Sequence, residues 1–270
     1  VETGRCFRVL RALPWGSRRR RPAVSGFAPL PPDRLVQPTT VRWFAAVFGG
    51  SGAYAILRYP IAGDVAWEHF PLFIMNKATA MAAVVFVACS YLVGPVLTMH
   101  NHDVKLKLVV VKFCGLMGFS LALVHAFFAV MLMNPAYFAK DFLDDGRMNV
   151  TGELGMAAGI LALWALAFPA ITTLPMMAKE LGGVRWKRNQ RMGYVCLLLV
   201  ALHLVVLGLK GWLTPATWPW WIPPISLVAF GAALLPLLVK RRRVQEQEKR
   251  RAVRARWPDG ARAPPRSTAC

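Results

Sequence analysis

The chain has 270 residues, of which 56% are hydrophobic and only 17% charged, with a net charge of +20 and a mean hydropathy of +0.42. That balance excludes an ordinary soluble domain and makes a membrane protein the first reading. The positive charge is concentrated in the two ends and a few short connections, which suits anionic lipid beside membrane spans and argues against nucleic acid as a partner.

Residues 1–38 carry RRRR, several prolines and little apolar periodicity, and read as a disordered basic segment. Six stretches then reach the roughly 20 residues needed to cross about 30 Å of hydrocarbon: about 41–60, 71–97, 109–133, 152–175, 191–212 and 219–239. The first is the weakest, flanked by Arg42 and Arg58 and interrupted by Gly49, Gly50 and Gly52. In lipid each must be helical, because its backbone polar groups find no water there. The expected fold class is an all-α membrane protein, a six-helix bundle over 39–240. A disordered basic tail over 241–270 follows it.

Lysine and arginine set the orientation. The connection 176–192 holds Lys179, Arg185, Lys187, Arg188 and Arg191, and the tail from Lys240 is strongly basic. The alternate connections are mildly acidic, with Asp64 and Glu68 in one and Asp141, Asp144 and Asp145 in the other. Both termini are therefore expected in the cytoplasm, in a multi-pass plasma (inner) membrane protein. Trp212, Trp218, Trp220 and Trp221 form an aromatic belt at the outer face. The cysteines form no C-x-x-C pair, so Cys89, Cys114 and Cys196 read as small hydrophobes.

Two histidines stand inside apolar spans: His125 in GLMGFSLALVHAFFAV and His203 in GYVCLLLVALHLVVLG, each ten residues after a glycine, Gly115 and Gly193. The spans that carry them are parallel in this topology. Each histidine lies roughly 20 Å from the inner end of its helix at 1.5 Å per residue, so both fall in the outer half of the membrane. Two neutral imidazoles at one depth can hold a haem iron between them, which resolves the cost of a polar ring in hydrocarbon. The glycines read either as helix-packing contacts or as room for a flat ring. A second haem would need further histidines near 111 and 189, where Val111 and Asn189 stand, so one haem is expected. His100 and His102 in MHNHDVK read as a solvated inner loop, and His69 as an outer surface residue.

Several stretches carry a family resemblance: KFCGLMGFSLALVHAFF at 112–128, TTLP at 172–175, RMGYVCLLLVALHLVVLGLKGW at 191–212 and PPISLVAF at 223–230. From about 70 to 240 the chain resembles the transmembrane domain of the STEAP metalloreductases (six-transmembrane epithelial antigen of the prostate). The resemblance implies six helices, one haem b held by His125 and His203, and a homotrimer. It also implies electrons passing from a cytoplasmic flavin, such as FAD, to an external ferric or cupric chelate.

The connection GGVRWKRNQRMGY at 182–194 offers Arg185, Lys187, Arg188 and Arg191 to a flavin pyrophosphate and Asn189 and Gln190 to an isoalloxazine edge. The same residues also satisfy the positive-inside rule. Lys77 stands where it could snorkel outward to a haem propionate or to headgroups. Trp164, Phe168 and Trp186 read as packing, or as aromatics between flavin and haem. The first 40 residues hold no G-x-G-x-x-G after a strand, so the expected donor is a separate flavin reductase or free reduced flavin. Two other readings stay open. One is a haem b subunit passing electrons to a periplasmic partner or oxygen. The other is a non-enzymatic scaffold or transporter component.

Overall fold

A computed structural model of the chain describes residues 37–99 and 104–256. The disordered segment expected over 1–38, apart from its last two residues, and the His100–His102 loop lie outside these residues. The described fold is helical throughout: α1 (Pro38–Ile56), α2 (Phe70–Met99), α3 (Val104–Met131), α4 (Pro135–Phe138), α5 (Val150–Thr172), α6 (Pro175–Gln190), α7 (Met192–Trp212) and α8 (Ile225–Arg256).

Five helical stretches are long and apolar enough to cross a membrane: Trp67–Val93, Val109–Met131, Val150–Thr172, Val184–Trp212 and Pro219–Ala252. The chain is thus a multi-pass, all-α membrane protein. The stretch expected at 41–60 forms α1, extended by a short π-helical turn at Leu57–Ile61. It does not join the five, because Arg42 and its glycines dilute the apolar run.

The helices pack as lipid-embedded helices do. Lipid tails are as apolar as leucine, so association depends on close van der Waals approach, which small residues permit. The buried core is accordingly rich in alanine, with Ala55, Ala78, Ala82, Ala83, Ala88, Ala158 and Ala162 among its members. At the α2–α3 crossing a Cβ on Gly118 would lie 2.7 Å from Val87 Cγ2 and 3.0 Å from its backbone nitrogen. α2 lies along α3, α5 along α7, and α8 closes against both α2 and α7. α3 and α7, which carry His125 and His203, are not a closely packed pair.

Two connections differ from their expected form. Residues 175–190 make the helix α6 rather than a loop. Pro175 starts it at a first-turn position that needs no N–H, and Arg191 alone separates it from α7. The tail expected to be disordered from 241 continues α8 as helix to Arg256. Arg, Lys, Glu, Gln and Ala there are strong helix formers, and Glu246 and Glu248 stand three or four residues from Lys249, Arg250 and Arg251. Residues 257–270 lie outside the described ones.

The acidic connection between α3 and α5 is a folded cap. Asn134 caps α4, its side chain accepting from Ala136 N at 3.0 Å. Gly146, at φ 80°, turns the chain back so that Phe142 and Met148 form an isolated bridge. Asn149 caps α5 by accepting from Gly152 N at 2.9 Å, and its Nδ2 donates to the Lys140 carbonyl at 2.8 Å. Lys140 Nζ in turn donates to the Leu207 carbonyl at 2.7 Å, tying the cap to α7 one turn beyond His203.

Candidate functional site: a cavity between two histidine-bearing helices

A cavity of about 770 Å³ lies between α2, α3, α5, α7 and α8. That volume falls in the range of roughly 300–1,000 Å³ typical of sites that bury a small organic ligand. Its wall includes Ala80, Ala83, Ala122, Ala126, Ala129, Gly159 and Ala162. These small residues from α2, α3 and α5 leave space between helices that are otherwise in contact. His125 of α3 and His203 of α7 both line it.

Each imidazole is oriented through Nδ1. His203 Nδ1 lies 2.7 Å from the Gly155 carbonyl of α5. A carbonyl only accepts, so Nδ1 carries the proton and Nε2 keeps its lone pair. The ring packs over Gly159, where a Cβ would sit 3.1 Å from Nδ1 and 3.2 Å from Cε1. His125 Nδ1 lies 2.7 Å from Asn76 Oδ1 of α2, and Asn76 is only 2% exposed. This contact likewise fixes an Nδ1–H, Nε2-lone-pair tautomer. A ligating histidine almost always donates its second ring N–H to such an acceptor.

Among the described residues, no three or more His, Cys, Asp or Glu side chains come together to hold a bare metal ion. Two lone-pair imidazole nitrogens beside a large apolar cavity instead suit an iron whose remaining positions a flat macrocycle supplies. The donor set and the cavity therefore fit a haem.

Lys77 is half-buried and lines the same cavity. Its Nζ stands 5.0 Å from the Phe73 ring centre, 5.2 Å from Phe138 and 5.9 Å from Tyr59. The aromatic faces stabilise the ammonium where water is scarce. Lys140, Asp141 and Asn149 of the cap also line the cavity, so polar groups gather at its cap end.

The basic helix α6 behaves differently. Arg185, Lys187, Arg188 and Arg191 are exposed, while Asn189 and Gln190 are half-buried. Gln190 Nε2 donates to the Pro169 carbonyl at 3.1 Å and to the hydroxyls of Thr172 and Thr173 at 3.3 and 3.4 Å. Gln190 and Trp186 line a second cavity of about 140 Å³, together with Lys112, Gly115 and Thr173. Of the six residues expected at a flavin, Gln190 alone reaches this cavity, which has room for the edge of a ring system. Trp164 and Phe168 are 64% and 52% exposed and face outward, away from either cavity. His69 also stands apart, 3.8 Å from Glu68 and edge-on to Tyr137.

The two glycines ten residues before the histidines do not share a role. A Cβ on Gly193 would run into the Tyr91 ring, whereas Gly115 has nothing within 4 Å and borders the small inner cavity. Neither borders the outer cavity. Space beside a histidine comes from Gly159, on a helix with no histidine. The residues missed from sequence are Asn76, Gly155 and Gly159. Asn76 was detectable as the one amide in the apolar run 70–99 that is not accounted for by a helix end, and Gly155 and Gly159 as a G-x-x-x-G pair.

No protein-family model matches the chain, and no curated protein matches it.

Proposed function

We propose that the chain is a single-haem b-type membrane oxidoreductase of the STEAP-like kind. The observation that carries this reading is the pair of histidines lining one apolar cavity, each with Nδ1 engaged and Nε2 left as a lone pair. His125 and His203 would be the axial ligands, and Lys77 the cation facing a propionate at the outer end. A bound haem supplies one-electron chemistry at a potential set by its ligands and the dryness of its pocket. The chain's own work is to orient two imidazoles, exclude water with alanine-lined helices and close the outer end with the 132–149 cap. Outer-sphere electron transfer needs no general acid or base, so the absence of a catalytic dyad from this reading costs it nothing.

The donor side is read at α6. Arg185, Lys187, Arg188 and Arg191 offer exposed charge for a pyrophosphate, and Gln190, with Asn189 beside it, an amide for a flavin such as FAD. A cytosolic flavin or flavin reductase would supply electrons, and an external ferric or cupric chelate would accept them. We read α1 as the sixth span, which puts both termini in the cytoplasm of the plasma (inner) membrane. By the same resemblance we infer a homotrimer.

The test is the absorption spectrum of the purified protein expressed with ample haem. A Soret band of a six-coordinate, low-spin haem is expected, and His125→Ala and His203→Ala each abolish it or convert it to a high-spin form. A colourless wild-type protein overturns the reading in favour of a scaffold or transporter component. A haem protein that reduced flavin cannot drive to reduce a ferric chelate is instead an electron-transfer subunit for another acceptor.

A further inference from the structure

The two histidines are held by chemically different acceptors. His203 donates to a backbone carbonyl, that of Gly155, which no side-chain substitution alters. His125 donates to a side-chain amide, Asn76 Oδ1, at the same 2.7 Å. Asn76 is 2% exposed within a long apolar helix, where an amide is costly unless its bonds are made. It lies on α2, not on the helix that carries His125. The Thr79 hydroxyl one turn on, bonded to the Met75 carbonyl at 2.7 Å and the Asn76 carbonyl at 3.1 Å, belongs to the same buried stretch.

We propose that Asn76 is a positioning residue that sets the donor strength of His125, so that this axial imidazole can be tuned while His203 keeps its backbone acceptor. This rests on the haem reading above. An acceptor on Nδ1–H pulls the proton and makes Nε2 more basic. A more basic Nε2 favours ferric over ferrous iron and so lowers the reduction potential. A neutral amide oxygen pulls less than a carboxylate and more than a hydrocarbon. Asn76 therefore holds an intermediate setting: Asn76→Asp strengthens the donor and Asn76→Leu removes the acceptor with little change in volume. The nearest charge along α2 is Lys77, held by its three aromatic rings.

The experiment uses the full-length, haem-loaded protein in detergent and measures the midpoint potential by spectroelectrochemistry. Outer-shell partners typically change metal affinity by about 10- to 100-fold. Where a factor of that size falls on one oxidation state alone, about 59 mV per tenfold for one electron converts it to a shift of about 60–120 mV. The expected result is a downward shift for Asn76→Asp and an upward shift for Asn76→Leu, with the low-spin Soret band retained in both. A variant that merely loosened the fold would not move the potential in opposite directions. Unchanged potentials, or shifts of one sign in both, overturn the proposal while leaving the haem reading intact. A wild-type protein without a Soret band overturns both. A second readout needs no haem: the His125 ring N–H resonance of the apo-protein. A hydrogen-bonded Nδ1–H is expected in the wild type and lost in Asn76→Leu; an Nε2–H tautomer in the wild type overturns the contact itself.

Discussion

A histidine placed in hydrocarbon needs a partner for each ring nitrogen, and that requirement organises the cavity. Gly155 and Asn76 each take one Nδ1–H, which leaves two lone pairs. Gly159 makes the His203 geometry possible, since its missing Cβ leaves the ring space against α5. Gly159→Leu is expected to push the His203 ring off the Gly155 carbonyl. On the haem reading, the affinity of the apo-protein for haemin, titrated by Soret absorbance, should fall by about 10- to 100-fold, the loss typical of disturbed ligand support. Lys77→Leu tests the outer end of the cavity. On the haem reading it should weaken binding through loss of one charge-assisted contact, worth about 1.5–3 kcal/mol, in a titration of apo-protein with haemin.

Helix against helix, the fold depends on close approach at a few glycines. Gly118 meets Val87 Cγ2 and, beside it, the α2 backbone at Val87 N and Ala83 O, which cannot yield by turning a side chain. Gly118→Ala should therefore lower stability by about 1–3 kcal/mol, the usual cost of overpacking, seen as an earlier thermal transition in detergent. Gly50 in α1 has nothing within 4 Å of a Cβ position. Gly50→Ala should leave stability unchanged or raise it by up to about 1 kcal/mol through helix propensity. At the inner end, the Tyr91 hydroxyl donates to the Gln190 carbonyl at 2.8 Å where α6 hands over to α7. Tyr91→Phe keeps the ring against Gly193 and removes that bond, for an expected loss of about 0.5–1.5 kcal/mol by the same measurement.

The molecule as a whole has a basic end and a mildly acidic one. Lys240, whose Nζ lies 3.8 Å from the Tyr194 ring centre, joins the start of α7 to the basic part of α8, so the charges of α6 and α8 gather at one end. On the proposed topology, single cysteines introduced at Asp64 or Asp144 in a cysteine-free background should react with an impermeant thiol reagent added outside intact cells. Cysteines at Arg188 or Lys249 should react only after permeabilisation. The opposite pattern would invert the orientation and move the flavin reading to the wrong side. The homotrimer is checked by the mass of the purified protein in detergent, corrected for bound detergent, where three chains per particle are expected.

Much of this was legible in the residues taken in order. Apolar length alone dictates helices at 71–97, 109–133, 152–175, 191–212 and 219–239, because hydrocarbon admits no other satisfied backbone for such stretches. Local spacing also suggested one depth for His125 and His203, and both line one cavity. It could not say what stood across from them, since Asn76 is 49 residues from His125 and Gly155 is 48 from His203. Of the two readings of the matched glycines, helix packing holds for Gly193 against Tyr91, whereas Gly115 has nothing within 4 Å, and neither lines the cavity of the histidines. The loops were misread for a related reason. Charge marks which side of a membrane a segment faces, not whether it is helical, so α6 and the extension of α8 were hidden behind their arginines. Span length, number and polarity are properties of neighbouring residues along the chain. The cavity, the tautomers of its two imidazoles and the cap that closes it arise between segments far apart in sequence, and come into being when those segments pack.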